Sequence, residues 1–159
     1  MIKVTRRGTV EAATPEQIFA ALNDPQGIAQ MLPRVSKVEL SDLNEAAGTA
    51  KLVTHMALGG IFGTIRCEGD LSWTEPSEIV FKVRTPMPLE TRWTLAEKLD
   101  GTEVAATMFL DLTPMLGPMA AFVPVQQVAE MLSKELDAAL KAVMKKCAGM
   151  NLRERAIAA

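Results

Sequence analysis

Apolar and polar residues alternate from Lys3 to Ala13, with Val4, Val10 and Ala12 on one side and Thr5, Arg7, Thr9 and Glu11 on the other. A period of two sends successive side chains to opposite faces, so this stretch predicts a half-buried strand. Thr14-Pro15-Glu16-Gln17 ends it. The threonine supplies a capping hydroxyl, proline suits the first helical position, and a glutamine three residues after the cap can reach back to a free backbone N–H. A helix therefore starts here, with Ile18, Phe19 and Leu22 as its apolar face. Asp24-Pro25 repeats the device and predicts a second short helix through Ile28, Ala29 and Leu32, closed by Pro33.

From Val35 to Leu112 the period of two returns. Turn signals at Glu45 to Gly48, Gly59-Gly60, Glu75-Pro76-Ser77, Pro86 to Pro88 and Asp100-Gly101 cut it into six strands. Their apolar sides read Val38 and Leu40; Leu52, Thr54 and Met56; Ile65, Cys67, Leu71 and Trp73; Ile79, Phe81 and Val83; Thr91, Trp93 and Leu95; Val104, Ala106, Met108 and Leu110. Most of the charge falls on the opposite sides, as in an antiparallel meander covered on one face. The cover is a long C-terminal helix. Behind Pro124, Val125, Val128, Met131 or Leu132, Leu136, Ala139 or Leu140, Val143 and Met144 recur every three to four residues, and Gly149 is the expected C-cap. This order predicts one domain over 1–150 and a C-terminal tail over 151–159, with no repeat or linker to suggest a second domain.

Composition narrows the chemistry. Seventeen Lys and Arg against nineteen Asp and Glu leave a formal charge of -2, too balanced to collect phosphates, so nucleic acid is not expected as a partner. The residues near Met1 carry Lys3, Arg6, Arg7 and Glu11 and do not read as a secretory signal. Cys67 and Cys147 are far apart and form no metal spacing. A reduced cytoplasmic protein is expected, without a metal or another cofactor. One histidine and no tyrosine leave few groups to move a proton near neutral pH, whereas ten methionines suit irregular apolar space.

The order of elements, with Thr-Pro-Glu-Gln-Ile-Phe at 14–19, Leu-Asn-Asp-Pro at 22–25 and Met-Leu-Pro-Arg-Val at 31–35, resembles the START/polyketide-cyclase (SRPBCC) superfamily. Within it the chain is most similar to polyketide cyclase-like proteins and to the accessory, G-type proteins of carbon monoxide dehydrogenase. The resemblance implies an α+β helix-grip fold: a seven-stranded antiparallel sheet wrapped around the long C-terminal helix, with two short helices after strand 1. It also implies a cavity between sheet and helix that takes lipids, quinones or polyketides. It brings no shared catalytic motif, so no catalytic residue is assigned.

The inward parity makes Trp73, Trp93, Met56, Phe81, Met108, Met131 and Leu132 the expected cavity lining, although core packing explains the same pattern. His55 shares parity with Lys51 and is expected to point away. Cys67 points inward with no histidine in phase, which suits a small buried side chain better than a nucleophile. Glu68, Asp70, Glu90 and Arg92 lie on the wetter parity as a solvated face. From Leu112 to Ala129 no residue is charged, and Met115, Leu116, Met119 and Phe122 make an apolar loop too broken by prolines to span a membrane. That segment is expected to be a lid, a peripheral membrane or partner-protein contact, or a homodimer surface, against simple burial under the sheet edge.

The residues thus favour a non-enzymatic carrier or sensor of a hydrophobic small molecule. The alternatives are a cyclase or aromatase-type enzyme that works by folding its substrate, and an accessory protein docking through 112–129.

Overall fold

The Thr14 capping box forms as its sequence requires: the Gln17 N–H donates to Thr14 Oγ1 at 3.2 Å and the Thr14 N–H donates to Gln17 Oε1 at 3.0 Å. It opens α1 (Pro15–Leu22), which buries Ile18, Phe19 and Leu22. The computed structural model describes residues 2–22, 35–57, 63–85 and 88–158, and their side chains except at 36, 56, 115 and 148–158. The second short helix, expected through Ile28, Ala29 and Leu32, lies outside the described residues.

The first strand, β1, covers Ile2–Glu11 and stops two residues before the expected Ala13. Ala12 takes a positive φ of 56° and is exposed, so it does not continue the inward set with Val4 and Val10. The reason lies in its surroundings. The Ala12 N–H donates to the Asp100 carbonyl at 3.0 Å, and the reversal turns Ala13 inward, where its carbonyl accepts from the buried Thr102 hydroxyl at 2.7 Å.

Six further strands follow: β2 (Val35–Asn44), β3 (Thr49–Ala57), β4 (Thr64–Thr74), β5 (Glu78–Thr85), β6 (Leu89–Lys98) and β7 (Gly101–Leu110). They form one seven-stranded antiparallel sheet in the order β1-β7-β6-β5-β4-β3-β2. β2 to β7 are a meander, and only the β1–β7 pairing closes a long loop. Turn chemistry sets the joints. Asn44 Oδ1 accepts from the Ala47 N–H at 3.1 Å, and Gly48 follows at a φ of 69° with the Trp73 carbonyl close beside its α-carbon, a place no β-carbon fits. Register shifts at Glu68/Gly69, Val35/Lys37 and Ser41/Asn44 are bulges, which bend the strands that carry them.

The register aligns the inward residues in rows across the sheet. One row runs Val4, Met108, Thr91, Phe81, Leu71 and Ala50; the next runs Ile2, Leu110, Leu89, Val83, Gly69, Leu52 and Leu40. Leu40, on the edge strand β2, is partly uncovered at 37% exposure.

After β7 come α2 (Thr113–Leu116) and a 3-10 stretch over Gly117–Phe122, each with a proline in its first turn. The apolar loop expected here is therefore partly helical, since proline removes only N–H groups that a first turn leaves unpaired anyway. Then α3 (Val125–Ala158) lies along the sheet, closest to β1 and nearer β7 than any other strand. Its buried stripe is Leu132, Leu136, Ala139, Leu140, Val143 and Cys147. Each such side chain contributes about 1.5–3 kcal/mol when it leaves water. The helix runs through Gly149 to Ala158 and does not end at the expected C-cap. No proline follows, and one glycine inside a helix costs only about 1 kcal/mol against alanine, less than the leucines, arginines and alanines around it can outweigh.

Candidate functional site

The inner face of the sheet is buried to different degrees at its two ends. Near α1, Trp93, Val104 and Ala106 are 0% exposed and the packing is closed. The other end is bounded by the start of β2, the β3–β4 and β5–β6 connections and the 111–124 segment. There Val35, Val38, Ile65 and Leu89 are only partly covered, as are Leu112, Val128 and Ala129 beside them. An apolar strand face left partly open beneath a helix is the kind of surface that receives an apolar ligand.

Polar atoms on this face are few. The buried polar side chains among the described residues are Thr54, Thr91 and Thr102, with no charged residue in the set. Thr102 is satisfied by Ala13. Thr54 Oγ1 and Trp93 Nε1 are buried with no hydrogen-bond partner. Cys67 faces Thr54 across the β3–β4 pair. Burial pushes its thiol above the ordinary range, and the Thr54 hydroxyl, close enough to favour a thiolate but making no bond of normal geometry, offsets only part of that. A neutral buried thiol is a weak nucleophile.

Of the residues expected to line a cavity, Trp93, Phe81, Met108 and Leu132 are buried on the inner side. Phe81 and Met108 share a row with Thr91 between them, and Trp73 and Trp93 flank Ile79 in another. Trp73 is half-buried against the core. Met56 pairs with Ile65 and Val35 in the sheet, and its side chain lies outside the described residues. Met131 is 48% exposed and sits off the buried stripe of α3, which takes Leu132 instead because that residue is in phase with Leu136 and Ala139. Leu89 extends the alternation of Thr91, Trp93 and Leu95 by one step, a signal present in the sequence but not used there. Val35 and Ile65 matter because they sit at strand ends, which only the sheet order brings together.

The outer face holds the charge. Arg92 pairs with Glu78 at 3.0 Å and Glu90 at 3.6 Å, Arg66 with Glu68, and Arg84 with Asp70. His55 lies there too, its Nε2 3.9 Å from Glu39 Oε2, in line with Lys37 and Arg66. The Lys37 ammonium holds Glu39 below the usual carboxylate range. Glu68, Asp70, Glu90 and Arg92 thus form a solvated ion-pair surface remote from the apolar face. Among the described residues no group of three or more His, Cys, Asp or Glu is placed to hold a metal, and no helix is long and apolar enough to cross a membrane.

The 112–129 segment is uncovered. Met119 is 66% and Phe122 84% exposed, with Val125 and Met131 also on the surface. Leu116 is half-buried, and the Met115 side chain lies outside the described residues. A groove of about 360 Å³ runs beside this patch along the α3–β1 edge, lined by Arg6, Gln126, Ala129, Glu130, Ser133, Lys134 and Asp137. Its polar lining sets it apart from the inner face.

Residues 1–148 match the family described as polyketide cyclase / dehydrase and lipid transport. Similar solved structures include a START superfamily protein from Mycobacterium smegmatis, at 15% identity and a TM-score of 0.70, covering 93% of this chain and 98% of that one. The Zhui aromatase/cyclase from Streptomyces sp. R1128 is 17% identical with a TM-score of 0.64, over 95% of this chain and 93% of that one. The di-domain aromatase/cyclase BexL of the BE-7585A biosynthetic pathway is 19% identical with a TM-score of 0.64 over 93% of this chain, which spans 49% of that protein's length. At these identities the likeness is one of fold. No curated protein matches at a significant level.

Proposed function

Because the chain belongs to the polyketide cyclase / dehydrase and lipid transport family, we propose that it binds a hydrophobic small molecule, lipid, quinone or polyketide-like, between the inner face of its sheet and α3. One observation carries this reading: the inner face is apolar from β1 to β2, closed at the α1 end and partly open at the other. Burying apolar ligand surface there stabilises the complex by about 25 cal/mol per Å² before the costs of association.

Binding without chemistry is favoured over a cyclase or aromatase activity. The described inner face offers three buried threonines and a thiol held neutral by burial, and the ionisable clusters lie on the opposite face. A cyclase on this frame would act mainly by orienting its substrate.

Native mass spectrometry of freshly purified protein, followed by denaturing solvent extraction, tests the proposal. A stoichiometric apolar companion released on unfolding is expected. A clean apo mass, together with no uptake of apolar fluorophores, would overturn it.

A second reading has its own observation, the exposed Met119, Phe122, Val125 and Met131. Exposed apolar side chains in one segment suit contact with a membrane or partner protein. Flotation with liposomes that is lost on replacing Met119 and Phe122 by serine supports the membrane form, and flotation unchanged by these replacements counts against it.

A further inference from the structure

The Thr54 hydroxyl is 1% exposed and its oxygen has no hydrogen-bond partner. A buried hydroxyl without a partner is destabilising, and valine would fill nearly the same volume without that cost. Its position suggests what completes it. Thr54 sits between Val38 on β2 and Cys67 on β4, and the inward residues around it toward the strand ends, Val38 and Ile65, are partly open. Cys67 offers only a weak sulfur acceptor. Trp93 Nε1 is also unpartnered, but its row neighbour Ala106 and the adjacent Val104 are fully covered, so nothing can approach it without unpacking the core.

We infer that the ligand is neutral and largely apolar and that its hydrogen-bonding oxygen, a carbonyl or hydroxyl, is received by Thr54 Oγ1. A threonine hydroxyl can donate to a carbonyl or accept from an alcohol. A carboxylate or phosphate is disfavoured, because no buried charged residue among those described on this face would compensate the loss of its hydration. Thr54 is thereby a specificity-determining residue, and the assignment rests on the ligand-binding reading above.

Displacement of the neutral fluorophore N-phenyl-1-naphthylamine by dodecane, 2-dodecanone and dodecanoate tests it. The wild type is expected to prefer the ketone over both others by about tenfold, the selectivity a single buried hydrogen bond supplies. Thr54→Val should bind fluorophore and dodecane as before, lose the preference for the ketone, and unfold at a higher temperature when apo; Thr54→Ser should keep the preference. A structural role alone would lower the unfolding temperature and leave selectivity unchanged. Tightest binding by dodecanoate, or an undiminished ketone preference in Thr54→Val, would overturn the inference while leaving the ligand-binding reading intact. Failure of the fluorophore and all three compounds to bind would overturn both.

Discussion

Met144 of α3 lies directly over Gly8 of β1: a β-carbon at position 8 would stand 2.5 Å from Met144 Sδ and 3.7 Å from Leu140 Cδ2. The missing side chain lets the helix settle onto the strand. Gly8→Val is expected to destabilise the fold by about 1–3 kcal/mol through overpacking. Adding Met144→Ala should recover part of that loss, so a double-mutant cycle read by urea denaturation should show coupling between the two positions. Additive losses would mean that the contact does not set the helix position.

Thr14 both gives and receives a hydrogen bond with Gln17. Thr14→Ala should cost about 1 kcal/mol in unfolding free energy. Both partners are uncharged, so the loss should be the same at pH 5 and pH 8. A cost that vanished at either pH would point to a nearby ionised group instead.

Burial pushes the Cys67 and Cys147 thiols above their ordinary 9.0. The unfolded chain then ionises first as pH rises. The stability these thiols contribute is fully present below about pH 9 and falls as pH climbs from the unfolded value through the raised folded ones. A Cys67→Ala/Cys147→Ala variant should show a flatter decline across that alkaline window, whatever packing it loses at neutral pH. With the wild type, a thiol reagent at pH 8 should react with neither cysteine until the protein unfolds. Fast reaction in the native state would contradict their burial.

Phe122 and Met119 touch little of the protein, at 84% and 66% exposure. Replacing both by serine should change unfolding free energy by no more than about 0.5 kcal/mol for each position. Ligand uptake at the inner face should persist, since neither side chain is buried there. A large drop in stability on thermal or urea unfolding would show that this segment is part of the core.

Much of the fold was legible in local patterns. The Thr14 box, the Gly48 turn and the alternation of β2 to β7 each depend on residues within a few positions, and short-range chemistry survives into the folded state. His55 on the outer face was equally legible, because parity within one strand decides its side once a neighbour's side is known. Local pattern was less decisive where two readings fitted. Met131 and Leu132 both suit a helical stripe, and the angle at which α3 meets β1 exposed one and buried the other. Gly149 resembles a C-cap in sequence, yet the helix continues through it.

The sequence by itself determined the order of elements, the apolar and charged faces of the sheet, and the scarcity of groups able to do acid–base work. Those follow from periodicity and composition, which need no knowledge of distant contacts. The tertiary structure alone decided which inward residues are sealed and which stay open, and which buried polar atoms remain unpartnered. Trp93 and Thr54 have the same parity, but one is enclosed at the α1 end of the sheet and the other lies beside partly open neighbours. That difference comes from where α1 and α3 cover the sheet, a relation between segments far apart in the chain that no local pattern encodes.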